Sequence, residues 1–226
     1  MQEISNAIVN TSFLQKIWSY WSPVKIHEFQ SFDNKLLEVF VSKGRFALAV
    51  HDTLYSYGIS YTPFLKILKY FKKSNQLTSL QSVLMLGVGL GSAVQMLQKA
   101  NDIPRKYDLV EIDPVILSGA QTILSSLSID ANYIVDDAIR FVDQNTKQYD
   151  LVNLDVFSEK IVPEAILTKS FHQKLHKSVQ QNGYMCMNYM DIDDAKTLEL
   201  EHTLQQLYDK VVIIELMQNK IYICKA

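Results

Sequence analysis

The apolar positions of the chain follow different spacings before and after about residue 80. Residues 4–21 carry apolar side chains three or four positions apart, which predicts an amphipathic helix ending at Ser22-Pro23. The runs VKIHEF, KLLEVFVSK and RFALAV are short and β-prone, and Lys43-Gly44 lies between the last two. They predict a small antiparallel sheet with a hairpin turn at these two residues. The segment TPFLKILKYFKK then predicts a helix.

Beyond residue 80, short apolar runs alternate with segments of helical spacing. The runs SVLMLG, YDLVEID, NYIV, YDLVNLD and GYMCMNYM predict strands, and a predicted helix follows each one, including a long helix over 163–179. This alternation indicates a parallel sheet covered on both faces. The runs VVIIEL and KIYICK are too close for a crossover and predict an antiparallel hairpin. We therefore expect an α/β chain with a β-rich part over 1–60 and a mostly parallel seven-stranded sheet within 61–226.

Composition narrows the class of protein. The 226 residues have a formal net charge of −2, which argues against binding the phosphate backbone of nucleic acids. No run of about 18 apolar residues predicts a membrane span. The start MQEISNAIVN lacks the basic and apolar pattern of a secretory signal. Cys186 and Cys224 lie in apolar runs, so we predict reduced core thiols in a cytoplasmic protein. From the net charge and the lack of a membrane-spanning run, we predict no nucleic-acid or membrane partner.

The first strand of the second half ends in the glycine-rich loop Gly87-Val88-Gly89-Leu90-Gly91. Three of the seven glycines of the chain fall within these five residues. Glycine permits a tight turn and lets a ligand approach the backbone closely. The following helix start offers free N–H groups and a partial positive charge. The loop is therefore a candidate ligand site.

Polar residues also end the next three strands. Glu111-Ile112-Asp113 ends the second strand, and Glu111 lies 20 residues beyond Gly91, where an acid commonly accepts hydrogen bonds from ribose hydroxyls. Asp136-Asp137 ends the third strand, where one acid is expected to cap the next helix and the other to reach a base amine. Asn153-Leu154-Asp155 ends the fourth. Parallel strands bring these ends to one edge of the sheet, so we expect a ligand site there.

A dinucleotide is one alternative ligand for this edge. The dinucleotide fingerprint is G-x-G-x-x-G, but here the third glycine comes one residue early and Ser92 follows it. The sequence also gives no pattern for a second nucleotide-binding half. A mononucleoside such as the adenosine of S-adenosylmethionine fits the pattern better.

Four segments carry a resemblance to a known family. VLMLGVGLGSAVQML, YDLVEIDPVIL, NYIVDDAIRFV and the stretch that begins YDLVNLDVFSEKIVPEAILT resemble spermidine synthase and its relatives, which belong to the S-adenosylmethionine-dependent methyltransferase superfamily. The similarity covers residues 80–190 and, more weakly, 36–62. It implies a Rossmann-like methyltransferase fold, S-adenosylmethionine or its decarboxylated form as cofactor, a small-molecule substrate such as an amine, and a homodimer.

The resemblance also implies roles for individual residues. Asp155 matches the proposed base for the attacking amine, and Tyr57 matches a tyrosine of the active-site entry. The glycines would lie under the amino-acid part of the cofactor, Glu111 would hold the ribose, and Asp137 would lie at the adenine. The implied cofactor-binding residues are Gly87, Gly89, Gly91, Glu111, Ile112, Asp113, Asp137, Ala138 and Asp155.

The chain departs from the synthases at three positions. Leu90 stands where their glycine loop has an aspartate, Ser158 replaces the second acid of their D-S-S-D stretch, and Gly58 replaces a glutamine. A polycation needs acidic partners, so these changes weaken the prediction of aminopropyl transfer. We favour a methyltransferase-like activity on an unidentified nucleophile. An aminopropyltransferase that makes a polyamine and a non-catalytic nucleoside-binding relative are the alternatives.

Other residues give weaker signals. His172 and His176 are four apart on a predicted helix, but no third ligand is placed nearby, so we predict no metal site. Tyr61 is assigned to the wall and core rather than to chemistry. Trp18 and Trp21 are candidates for a dimer or lid contact if they do not simply pack.

Overall fold

The structure is a computed structural model, and it describes residues 3–30, 36–50, 53–56, 60–101, 103–157, 162–190, 194–216 and 219–226. Residues 24–56 contribute a four-stranded antiparallel sheet and residues 82–225 a seven-stranded sheet. None of the helices within these ranges is long and apolar enough to cross a bilayer. The cytoplasmic location and the absence of a nucleic-acid partner stay predictions, as does the domain boundary at residue 60.

The prediction of one helix over 4–21 is wrong, because two short helices occupy this segment. Helix α1 spans Glu3–Val9 and helix α2 spans Phe13–Trp18. Ser12 begins α2 with a capping box: its hydroxyl accepts from the backbone N–H of Gln15 at 3.1 Å, and its own N–H donates to the Gln15 side chain at 2.8 Å. This local capping interrupts a helix that the apolar spacing alone would continue.

The smaller sheet contains β1 (Val24–Phe29), β2 (Leu37–Ser42), β3 (Arg45–Val50) and β4 (Thr53–Ser56), in that order. Lys43 and Gly44 join β2 to β3 and both have positive φ, 50° and 73°. Two such residues form the tight turn that matches the twist of a hairpin. The predicted antiparallel sheet and its turn are therefore present.

The larger sheet follows helix α3, which spans Thr62–Lys73. Its strands are β5 (Ser82–Leu86), β6 (Lys106–Glu111), β7 (Asp130–Val135), β8 (Tyr149–Leu154), β9 (Val179–Met190), β10 (Lys210–Glu215) and β11 (Asn219–Lys225). The helices between them are α4 (Ser92–Ala100), α5 (Pro114–Leu124), α6 (Ala138–Gln144), α7 (Glu164–Leu167), α8 (Lys169–Lys177) and α9 (Asp194–Leu207).

The strand order is β10-β11-β9-β8-β5-β6-β7. Strands β5 to β9 pair in parallel, whereas β11 pairs antiparallel with both β9 and β10. The predicted α/β fold, with a mostly parallel sheet and a C-terminal antiparallel hairpin, is confirmed. Strand β5 lies between β6 and β8. Strands β6 and β7 are added on one side of β5 and strands β8 and β9 on the other, so the strand order reverses at β5. Ligands of such sheets bind outside the carboxyl ends of the strands at this switch point.

The predicted helix over 163–179 is divided into α7 and α8. Thr168 lies between them with extended backbone, and its hydroxyl accepts from the N–H of Phe171 at 3.3 Å. A side-chain N-cap at this position starts a new helix. The apolar spacing of the two helices is continuous, so the sequence pattern did not reveal the break.

The core lies on both faces of the larger sheet. Cys186 pairs with Ile223 and belongs to the face covered by α3 and α4, whereas Cys224 pairs with Met185 and belongs to the face covered by α8 and α9. Neighbouring residues of a strand point to opposite faces, so the two thiols are separated by the sheet itself. Both cysteines are fully buried and free.

Candidate functional site

The ends of four neighbouring strands lie side by side at the switch point. The N–H of Gly87 donates to the carbonyl of Val110 at 3.0 Å, and the N–H of Asp155 donates to the carbonyl of Leu86 at 2.8 Å. The N–H of Asp136 donates to the carbonyl of Glu111 at 3.2 Å. The hydrogen-bond ladder thus continues past the strands. It brings the glycine loop and the acids after β6, β7 and β8 to one edge, as the sequence pattern predicted.

The backbone of the glycine loop requires glycine. Gly87, Gly89 and Gly91 have φ values of +81°, +53° and +77°, which residues with a Cβ rarely adopt. A Cβ on Gly87 would lie 2.2 Å from the carbonyl oxygen of Asp155. A Cβ on Gly91 would lie 2.9 Å from the Leu124 side chain. The loop is therefore packed directly against the end of β8 and against α5.

Glu111 holds the glycine loop in place. Its Oε2 accepts from the N–H groups of Val88 and Gly89, both at 3.0 Å, and its Oε1 accepts from the N–H of Asp113 at 3.3 Å. Burial raises the pKa of the Glu111 carboxyl, and these backbone hydrogen bonds oppose the rise. Its predicted contact with a ribose stays a prediction, and the structure adds a bracing role that the sequence did not indicate.

Asp113 and Asp137 cap the helices that follow them. Asp113 is buried, and its Oδ1 accepts from the N–H groups of Val115 and Ile116 at 2.9 and 3.3 Å. Asp137 Oδ1 accepts from the N–H groups at positions 139 and 140, both at 3.0 Å. Asp136, the other acid after β7, forms an ion pair with Arg140. The helix-capping alternative holds for Asp137, and cofactor contacts by these acids stay predictions.

Two apolar residues accompany the acids at the strand ends. Ile112 follows Glu111 and is 47% exposed, whereas Ala138 is buried at the start of α6. An exposed isoleucine beside a carboxylate offers a ligand an apolar surface next to a hydrogen-bond acceptor. Their roles at the cofactor stay predictions.

Asp155 lies in a hydrogen-bonded group that we call the Asp155 cluster: Asp155, Tyr61, Asn188 and Asn219. The Tyr61 hydroxyl and the Asn188 amide each donate to Asp155 Oδ1 at 3.0 Å. The Asn188 amide also donates to the Tyr61 oxygen at 2.9 Å, and Asn219 donates to Asn188 Oδ1 at 2.8 Å. Among the described residues, both bonds to Asp155 reach Oδ1, which leaves Oδ2 available to a ligand.

Burial governs the protonation of the Asp155 cluster. It raises the pKa of the Asp155 carboxyl to about 6, although the hydrogen bonds from Asn188 and Tyr61 oppose this rise. Burial and the neighbouring Asp155 charge raise the pKa of Tyr61 well above its usual value. Near pH 7, Asp155 is therefore mostly ionised and Tyr61 is protonated, so the tyrosine is the donor. A carboxylate with this pKa is suited to accept a proton near neutral pH.

The structure and the sequence predictions differ on the residues around Asp155. Tyr57, predicted as catalytic, lies outside the described residues. Tyr61, assigned to the wall and core, instead contacts Asp155 through its hydroxyl. Asn188 and Asn219 were missed. The one available signal was that Asn188 is a polar residue within the apolar run GYMCMNYM near the end of β9.

The two histidines considered for a metal site lie on α8. His172 is fully buried, and burial lowers its pKa to about 4. His176 packs edge-on against Tyr208, with ring centroids 4.9 Å apart. Across the described ranges, no three His, Cys, Asp or Glu residues are grouped closely enough to hold a metal ion.

The chain is similar in sequence to proteins of one known family. The sequence model of the Spermine/spermidine synthase domain matches residues 68–221. A polyamine aminopropyltransferase of Clostridium beijerinckii is 24% identical over 139 residues, which cover 58% of this chain and 49% of that protein. The chain thus spans about half the length of this curated relative.

Solved structures share the fold. A probable spermidine synthase from Corynebacterium glutamicum superposes with a TM-score of 0.70 at 15% identity, covering 89% of this chain and 79% of that one. Human methyltransferase-like protein 13 in complex with SAH superposes with a TM-score of 0.59 at 21% identity, covering 73% and 79%. The architecture is therefore the Rossmann-like fold of methyltransferases. Because the family model matches residues 68–221, which is more than half of this chain, the chain belongs to the spermine/spermidine synthase domain family.

Proposed function

We propose that the chain transfers a methyl group from S-adenosylmethionine to the nitrogen of an amine, with Asp155 as the base. The cofactor supplies an electrophilic carbon bonded to a positively charged sulfur. In the reaction, the nitrogen lone pair forms the new N–C bond while the C–S bond breaks, and its electrons leave with the neutral thioether. The proton lost by the nitrogen passes to the Asp155 carboxylate. No further reactant is required.

The strand ends support the cofactor assignment. The glycine loop lies at the switch-point edge, and Glu111 and Ile112 follow at the next strand end with an acid and an exposed apolar side chain. A nucleoside requires this combination, since its ribose hydroxyls donate hydrogen bonds and its base is largely apolar on its faces. The solved structure of human methyltransferase-like protein 13, which has the same fold as this chain, contains SAH.

The single observation that carries the proposal is the position and pKa of Asp155. Asp155 follows β8, and its backbone carbonyl lies directly against Gly87 of the glycine loop, while both hydrogen bonds to its carboxyl reach Oδ1 rather than Oδ2. Tyr61 and Asn188 fix the orientation of the group through Oδ1. The pKa of about 6 leaves a carboxylate at neutral pH that is still more basic than an exposed aspartate. Alignment of the two reactants and exclusion of water then supply much of the acceleration.

Leu90 favours methyl transfer over aminopropyl transfer. Its side chain is 1% exposed and packs in an apolar cluster with Ile4 and Ile116. The decarboxylated cofactor ends in an ammonium group that requires an acidic partner. Leucine at this loop position cannot serve as that partner.

Aminopropyl transfer from the decarboxylated cofactor to an amine is the second candidate. The family match over residues 68–221 and the name of the Clostridium beijerinckii relative favour it. The base would again be Asp155, and the displaced thioether would be methylthioadenosine.

Calorimetry and product analysis test the proposal together. We expect S-adenosylmethionine to bind, and mass spectrometry of a panel of amines to show added methyl groups. Binding of the decarboxylated form alone, with aminopropylated products, would support the second candidate instead. Cofactor binding without turnover on any amine would favour a non-catalytic relative. If neither cofactor form nor methylthioadenosine binds, both candidates are wrong.

A further inference from the structure

A cavity of about 450 Å³ lies between the turn that joins β2 to β3, helix α4 and the end of α5. We call it the Lys99 cavity, and its wall includes Lys16, Arg45, Phe46, Lys99 and Ser126. Cavities of about 300–1,000 Å³ hold small organic ligands. The size of the Lys99 cavity therefore suits a small molecule.

The Lys99 cavity is distinct from the edge of the sheet that is proposed to hold the cofactor. None of the residues predicted to bind the cofactor lies in its wall. Lys99 is seven residues beyond the first residue of α4, and Thr122 is eight residues beyond the first residue of α5. At a rise of about 1.5 Å per residue, these positions lie about 10–12 Å along helices that start at the strand ends. A ligand in the cavity therefore leaves the strand ends free.

Within the described part of the chain, three cationic side chains and no acidic one line the Lys99 cavity. They are Lys16 of α2, Arg45 of β3 and Lys99 of α4, and all three are exposed. The chain as a whole has a formal net charge of −2, so the cavity is a local excess of positive charge. A concave surface lined by one sign of charge concentrates ions of the opposite sign. The cavity therefore favours an anion.

The charges of these three cations are not neutralised by carboxylates. Neither Lys16, Arg45 nor Lys99 forms an ion pair with another residue that the structure describes. The Lys16 ammonium lies 5.9 Å from the centre of the Phe46 ring, and an Arg45 guanidinium N–H donates to the Ser60 hydroxyl at 3.1 Å. Both partners are uncharged, so these contacts position the cations and leave their charge to a ligand.

The α5 side of the Lys99 cavity offers hydrogen-bond acceptors. The hydroxyls of Thr122, Ser125 and Ser126 donate to backbone carbonyls of α5 at 3.0, 2.8 and 2.9 Å. Because each hydroxyl has a single proton, these oxygens are left to accept from a ligand. Apolar side chains complete much of the wall: Ile8, Val9, Phe46, Ile123 and Leu127. A ligand that fits this wall joins an anionic group to a body with both hydroxyl groups and apolar surface.

We propose that the Lys99 cavity binds a nucleoside monophosphate, with its phosphate held by Lys16, Arg45 and Lys99. A phosphate monoester has a charge of about −1.5 to −2 and three acceptor oxygens, which match several cations. Arginine binds phosphate through its planar fork and lysine as a point charge. A carboxylate has one charge and two oxygens and would leave this set of cations unbalanced. The ribose hydroxyls would donate to the α5 hydroxyl oxygens, and the base would lie on the apolar wall.

A nuclear magnetic resonance titration of the full chain with AMP tests this site without any cofactor or turnover. AMP should shift the backbone amide signals of residues 44–46 and 122–127, with a Kd of about 1 mM or below. Adenosine, which lacks the phosphate, should not shift these signals. The affinity for AMP should fall as salt is raised from about 0.05 to 0.3 M, because exposed cations are screened.

Substitution of the cations tests their part in binding. Arg45→Gln and Lys99→Gln should each raise the Kd for AMP at least about fivefold, since each removes a charge-assisted contact to the phosphate. Lys73→Gln is the matched control and should leave the Kd unchanged. Like Lys99, Lys73 is an exposed lysine in the last turn of its helix, but it lies outside the cavity wall. All three variants should retain the circular dichroism of the wild type.

Four results would overturn the proposal. The absence of amide shifts at about 10 mM AMP would show that the cavity does not bind a nucleoside monophosphate. An unchanged Kd in both Arg45→Gln and Lys99→Gln would separate binding from the cations. Equal shifts with adenosine would make the phosphate irrelevant. Shifts confined to residues 87–91 and 111–113 would place AMP at the strand ends instead.

Discussion

The hydroxyl of Tyr61 lies 3.0 Å from Oδ1 of Asp155, although 94 positions separate the two residues in the chain. Tyr61 is the residue before α3, and Asp155 is the residue after β8. The start of α3 is thereby joined to the end of a central strand. Any movement of this helix start would change the hydrogen bonding, and hence the pKa, of the proposed base.

The pH dependence of turnover should reveal the ionisation of Asp155. A base acts in its ionised form, so kcat/KM should rise with pH through about 6 in the wild type. Tyr61→Phe removes a hydrogen bond that stabilises the carboxylate and should move this rise to higher pH. Rate profiles between pH 5 and 9 measure the shift. Tyr70→Phe, in the last turn of α3, is the control and should leave the profile unchanged. An unshifted profile in Tyr61→Phe would exclude the coupling.

Asp155→Asn should stabilise the fold at high pH while strongly reducing turnover. The folded-state pKa of about 6 is above the unfolded value of 3.8, so the folded protein retains a proton that the unfolded chain releases. Stability from this group is therefore lost as the pH rises from about 4 through 6. At pH 8 the substitution should increase the free energy of unfolding by up to about 3 kcal/mol, with a smaller gain at pH 5.

Urea unfolding at pH 5 and pH 8 measures this difference, and turnover should fall by about 10² to 10⁴ if Asp155 is the general base. Leu154, the preceding residue, is buried in the core and has no titratable group, so it cannot cause a stability difference between the two pH values. Equal stability changes at the two pH values would mean that the carboxyl is not held at a raised pKa.

Gly87→Ala should be strongly destabilising. Its Cβ would lie 2.2 Å from the carbonyl oxygen of Asp155, which is backbone and cannot rotate away, and its φ of +81° would be strained. We expect a loss of about 2–4 kcal/mol in chemical unfolding. Gly119→Ala is the comparison, because its Cβ would meet the Ile4 side chain of α1 and its backbone is helical. A smaller loss in Gly87→Ala than in Gly119→Ala would contradict the close packing of the loop.

Glu111→Gln should weaken cofactor binding more than it weakens the fold. The amide oxygen of glutamine can still accept from the N–H groups of Val88 and Gly89, whereas the longer bond from the Asp113 N–H and the charge near a ribose are lost. A hydrogen bond to a charged group contributes about 1.5–3 kcal/mol, so calorimetry should show a Kd increase of about tenfold or more. Asp130→Asn, at the opposite end of β7, should bind normally. Unchanged affinity in Glu111→Gln would limit that carboxylate to bracing the loop.

Features that depend on local order along the chain were predictable. The glycine loop, Glu111 and Asp155 each follow an apolar run, and parallel strands necessarily bring such positions to one edge. The hairpin at Lys43-Gly44 was likewise visible from two adjacent residues. These features need only the period of each element and the direction of its neighbours.

Features that depend on distant contacts or on single caps were not predictable. Asn188 reaches Tyr61 across 127 positions, and nothing in the spacing of either segment encodes that contact. The breaks at Ser12 and Thr168 arise from single side-chain caps within continuous apolar spacing. Periodicity averages over several residues and therefore passes over a cap made by one.

The placement of Cys186 and Cys224 on opposite sides of the large sheet makes the thiols a natural reporter of unfolding. Neither can meet the other while β9 and β11 remain paired, so oxidants cannot crosslink the native chain internally. A thiol reagent should likewise react with both cysteines only in molecules that have opened. Its rate of incorporation would then follow the opening of the central strands without any engineered probe.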